Sequence, residues 1–200
     1  MTAADPTLAT SQPETPSAAV RLAGLAGVLG GSVLLLAFVV EIPPGLNNVR
    51  LTMFFVGAMA VAAAAYPALA RTGLGVARVA VGLVLVANAW GHTMGAISAA
   101  FSLPVGPGTF GVVYFWAGVA WWVADALFGF VALRLGGWAR LGALALGIGS
   151  ILAITGMDRL ELTTRDNPTL FGPLSLAGIA LNGIGWIVLG LWLVSRRERT

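Results

Sequence analysis

Read from one end to the other, the chain alternates long apolar runs with short polar breaks. Six runs stand out, at roughly 22–40, 51–70, 77–100, 110–133, 140–157 and 171–194. A helix needs about 20 apolar residues to cross the hydrocarbon core of a bilayer. The pattern predicts an all-α protein, a polytopic transmembrane bundle of six spans. The fifth run is the shortest, and it would cross with little tilt. The breaks, EIPPGLNN, RTGLG, SLPVGPGT, RLGG and TTRDNPTLFGP, are rich in turn-forming residues. In the first of them the PP and NN dipeptides mark a turn.

Residues 1–20 are rich in Thr, Ala, Pro and Ser and lack an apolar face, so they read as a disordered tail. Residues 21–195 form the transmembrane domain, and 196–200 form a basic end. The first run is too long, and the tail before it too acidic, for a cleaved signal peptide.

In lipid, helices gain little by burying leucine against one another, so close contact falls to small residues. Gly27 and Gly31 are one turn apart on the first span, and Gly91 and Gly95 on the third. Gly111, Gly118 and Gly129 line up on the fourth, and Ser175, Gly178, Asn182 and Gly185 form one stripe on the sixth. Polar residues share these faces, so they are expected to point into the bundle.

Composition agrees with this solvent. Hydrophobic residues make up 58% of the chain and charged ones only 10%, which is too little polar surface for a water-facing domain. Mean hydropathy is +0.91. Cysteine is absent, which excludes a disulfide framework, a thiolate nucleophile and a cysteine-based metal site. All 11 basic side chains are arginines, a usage expected of a GC-rich bacterial genome. They flank the spans and form no single patch, so a nucleic-acid partner is not expected. With the N-terminus inside, Arg21, Arg71, Arg78, Arg134, Arg140, Arg196, Arg197 and Arg199 fall inside, and Arg50, Arg159 and Arg165 outside. Eight against three puts both termini in the cytoplasm of an inner-membrane protein.

Similar phrases open the odd spans: VRLAGLAG, ARVAVGLV and ARLGALAL. Arginines beside Ala and Gly at the inner face account for this without a true repeat. Trp138 and Trp192 read as interfacial anchors, Pro67 as a kink near the inner end of the second span, and Glu41 and Arg50 as a pair across the first hairpin.

The candidate chemistry lies inside the spans. The chain has one histidine, His92, and Asn88 stands one turn before it in VANAWGHTMG. Counting helical rise from the outer ends places His92 about 13 Å deep, Asn182 about 16, Asn88 about 19 and Asp125 about 22 Å. Asn88 and Asp125 share a level and should bond, whereas His92 stands too far out for a salt bridge to Asp125. The four suggest a ladder, His92–Asn182–Asn88–Asp125, with Trp121, Trp122 and Trp186 walling a pocket near the carboxyl. A charge at mid-bilayer costs about 3 kcal/mol on the insertion scale. An aspartate there therefore points to proton, cation or ligand binding, and His92 suits a proton relay. The structural alternative is that the same residues tie helices together.

One histidine makes neither a bis-His haem site nor a zinc site. Phosphate-binding, zinc-protease and nucleophile-elbow motifs are absent. No catalytic residue, metal or cofactor is expected. The leading expectation is a multi-pass protein that binds or passes a small solute, proton or lipid-like molecule at the polar site. The alternative is a non-catalytic accessory or assembly subunit of a larger membrane complex. An enzyme acting on lipids or quinones ranks last, because it needs a base nearer the interface. The partners expected are the bilayer itself, a small-molecule ligand, and a second copy or a membrane-complex subunit.

Overall fold

The computed structural model describes residues 16–36, 44–101, 109–156 and 172–196. They form six helices and, among the described residues, no strand: α1 (Ala18–Leu36), α2 (Pro44–Ala70), α3 (Leu74–Phe101), α4 (Thr109–Ala132), α5 (Ala139–Thr155) and α6 (Pro173–Ser195). Five are long and apolar enough to cross a membrane. The exception is α5, with 17 residues, or about 26 Å of helix against a hydrocarbon core of about 30 Å.

The first three helices begin three or more residues earlier than the apolar runs. The Ser17 hydroxyl accepts from the Val20 amide at 3.3 Å, so this N-cap starts α1 at Ala18, inside the stretch read as tail. Asn47 and Asn48 do not mark a turn as expected, because α2 starts at Pro44 and runs through them, while Pro43 lies outside the described residues. Proline is pre-set for a first helical position, where its missing N–H is no loss. An apolar run marks the part of a helix that suits lipid, and the helix itself extends further. Pro67 lies within α2 without ending it. Residues 1–15, Glu41 with its expected partnership to Arg50, the segment holding Arg159 and Arg165, and Arg197 and Arg199 lie outside the described residues.

The helices form a closed ring. Each packs on its sequence neighbours, α6 returns to pack on α1, and α2 leans inward to reach α6 and α4. Neighbours run antiparallel. Gly24 faces Gly190 while Gly31 faces Gly183, and Gly142 faces Val188 while Gly149 faces Asn182. Arg21, Arg71, Arg78, Arg134, Arg140 and Arg196 therefore stand at one end of the ring. Arg196 lies over the Trp192 ring there, 5.2 Å from its centroid.

Glycine sets the closest approaches. A methyl group on Gly24 would fall 2.6 Å from the Gly190 carbonyl oxygen, and one on Gly129 would fall 2.6 Å from the Gly147 amide nitrogen. The stripe Ser175, Gly178, Asn182, Gly185 is buried, and it packs against α5. Gly27 and Gly31 are likewise buried, against α2 and α6. Gly129 on the fourth span meets the expectation, but Gly118 and the third span depart from it. A side chain at Gly95 or Gly118 would meet nothing within 4 Å, and Gly91 faces only the Phe55 ring. Bulky side chains fill this part of the ring, so α3 is held by packing and hydrogen bonds more than by backbone contact. Nothing further is described at Gly111.

Candidate functional site

Asp125 of α4 lies inside the ring with no exposed surface, and so do Asn88, Asn182 and Ser150. Among the described residues it is the only acidic side chain. Four N–H groups converge on it. Trp121, one turn earlier on α4, donates its indole N–H to Oδ2 at 3.0 Å. From α6, Asn182 Nδ2 and Trp186 Nε1 donate to the same oxygen at 3.1 and 3.2 Å. From α3, Asn88 Nδ2 donates to Oδ1 at 3.4 Å. Oδ2 is thus crowded with donors and Oδ1 has one long bond.

The outer partners fix the amides. Asn182 Nδ2 also donates to Ser150 Oγ of α5 at 3.0 Å, and the Ser150 hydroxyl donates to the Leu146 carbonyl at 2.8 Å. Asn88 Nδ2 also donates to the Val84 carbonyl one turn back, at 2.9 Å. Both amide nitrogens are fully used. Their oxygens, Asn88 Oδ1 and Asn182 Oδ1, are buried without a hydrogen-bond partner. An indole can only donate, and an amide can donate or accept depending on which end faces the carboxyl. The set surrounds a carboxylate with neutral dipoles instead of a counter-ion, and two spare acceptors stand next to it.

Aromatic layers cover the cluster on both sides. Away from the arginine end, Trp121 stacks on Trp122 with centroids 4.0 Å apart. Phe54 and Phe55 of α2 meet Trp121 edge-on at 5.3 and 4.9 Å. Toward the arginine end, Trp186 stacks on Phe128 at 5.4 Å.

His92 lies beyond the outer aromatic layer. Its Nδ1 is 3.4 Å from the Thr52 hydroxyl of α2, and its ring is 6.3 Å from the Phe55 ring. The ladder expected from helical rise is therefore not the arrangement found. Asn88 and Asn182 are spokes on Asp125, and His92 bonds outside the cluster. Rise gives height along a helix but not the bearing of its face. The Asn88–Asp125 pair, argued from shared height, is present. Trp121 and Trp186 also differ from expectation. They are donors to the carboxyl, because a buried indole N–H seeks an acceptor, and Trp122 is the stacking partner.

Sequence reasoning missed Ser150, Thr52, Phe54 and Phe55. Ser150 had a usable signal, since it is the hydroxyl beside Gly149 in an otherwise aliphatic run. The phenylalanines had none, because aromatic residues are ordinary in a span. At the end of the ring opposite the six arginines, Arg50 Nε is buried without a hydrogen-bond partner.

Fold and site together define a helical membrane bundle with a hydrogen-bonded carboxyl on its axis. No family model, curated protein or solved structure matches the chain.

Proposed function

We propose that this is a multi-pass membrane protein whose axial carboxyl, Asp125, takes up and releases a proton, and that it thereby passes protons or a proton-linked small solute. The supporting observation is the donor set around Asp125. Four neutral N–H groups serve the ionised carboxylate. The unpartnered Asn88 amide oxygen can serve the protonated form once that amide turns over and gives up its bond to the Val84 carbonyl. Oδ1, with a single 3.4 Å bond, is the oxygen free to take the proton. One set of side chains then suits both states with the backbone unmoved. Complete burial favours a proton over a bulky solute, which needs a cavity to enter. Asn88 and Asn182 orient the carboxyl, and His92 with Thr52 relays at the outer end.

In this reading all six helices cross, and both termini face the cytoplasm of a bacterial plasma membrane. The gathering of six arginines at one end of the ring supports that orientation. In liposomes under an imposed pH gradient, wild-type protein should collapse the gradient, as read by a trapped pH-sensitive dye. Asp125→Asn should hold it. Equal rates from both would end the proton reading.

A second reading rests on the bonds that tie Asp125 to α3 and α6. These suit a structural keystone in an accessory subunit of a larger complex. Silence of wild-type protein in the flux assay, together with a stoichiometric partner chain in gently solubilised membranes, would favour it.

A further inference from the structure

Away from the polar cluster, near the arginine end, a groove of about 400 Å³ lies between α3 and α4. Gly75, Val76, Val79 and Leu83 of α3 line it with Leu127 and Val131 of α4, and the lining is wholly apolar. From Gly75 to Leu83 it follows α3 for about 12 Å. That is close to the hydrocarbon depth of one leaflet, about 15 Å.

The mouth is basic. Arg134 follows Val131 by three residues, and its guanidinium Nη1 lies 2.9 Å from where a methyl group on Gly73 would stand. Arg71 is exposed in the same turn, and the first turn of α3 carries no acidic residue. Among the described residues the sole carboxylate is the buried Asp125, so none of them neutralises this end. The positive pole of the α3 dipole adds to the same field.

We propose that the groove binds one anionic phospholipid, with an acyl chain along α3 and α4 and the phosphate at Arg71 and Arg134. A slender acyl chain matches a groove of this volume more closely than a protein helix, which at 10 Å across and equal length occupies roughly 900 Å³. The site is independent of Asp125 and its chemistry.

The test is native mass spectrometry of delipidated protein titrated with phosphatidylglycerol or phosphatidylcholine. One phosphatidylglycerol should bind about tenfold tighter than phosphatidylcholine. Arg71→Gln with Arg134→Gln should erase that preference. Gly75→Phe should abolish stoichiometric binding of either lipid. A Cβ at Gly75 would meet nothing within 4 Å, so the larger side chain has an open path into the groove. Thermal unfolding at the wild-type temperature would verify that the fold is kept. Equal binding of the two lipids, undiminished binding by Gly75→Phe, or a two-chain mass that Gly75→Phe removes would each overturn the proposal.

Discussion

Replacing Asp125 in two ways separates the hydrogen-bond acceptor from the charge. Asp125→Asn and Asp125→Leu both remove the ionisable group, so both relieve whatever a charge costs at that depth. Only Leu also removes the acceptor. In the Asn variant the amide oxygen can occupy the Oδ2 position and keep Trp121, Asn182 and Trp186 bonded. Its NH₂ then faces Asn88, whose amide turns over to present the unpartnered Oδ1. In the Leu variant three N–H groups face hydrocarbon where Oδ2 stood. A hydrogen bond between membrane helices averages about 0.6 kcal/mol in double-mutant cycles, whereas an orphaned buried donor costs about 1–3 kcal/mol. The Leu variant should therefore be less stable than the Asn variant by about 2 kcal/mol at the lower figure and more at the higher. Reversible unfolding in mixed micelles with rising SDS, followed by tryptophan fluorescence, reads the difference. If the two variants unfold within about 0.5 kcal/mol of each other, the convergence of donors on Oδ2 carries no energy and the site as described is refuted.

Three further expectations concern the scaffold. Gly185→Val should destabilise the α5–α6 contact by about 1–3 kcal/mol, because a Cβ there would fall 2.7 Å from the Leu146 backbone nitrogen. Gly82→Ala, which meets nothing within 4 Å, should be neutral or stabilising by up to about 1 kcal/mol in the same SDS titration. Ser17→Ala should remove about 1 kcal/mol from the start of α1, visible as faster amide exchange confined to its first turn and no change in global unfolding.

Much of the fold was legible because lipid imposes a length on apolar runs, and five of the helices meet it. The ring was not legible. Its closure rests on Gly24 against Gly190 and Gly31 against Gly183, and those glycines look no different in sequence from Gly95 or Gly118, where a Cβ would meet nothing within 4 Å. At the site, height sufficed to pair Asn88 with Asp125. It could not show that Asn182 and Trp186 reach the same carboxyl, because that depends on how far α6 is rotated. His92 shows the same limit. Its place one turn from Asn88 suggested a shared face, but the Phe55 and Trp121 rings fill the space between it and the carboxyl.

The closure of α6 on α1 has a consequence for how the protein is made. Helices leave the ribosome in order, so α1 waits through the synthesis of the other five before its last neighbour arrives. Until then Asp125 has donors only from α3 and its own helix, with Asn182 and Trp186 still to come. Every nascent chain thus passes through a stage with a half-dressed carboxyl in the bilayer and an open seam beside α1. A chain that stops short of α6 stays at that stage, and membrane quality control can read both defects as signs of an unfinished protein.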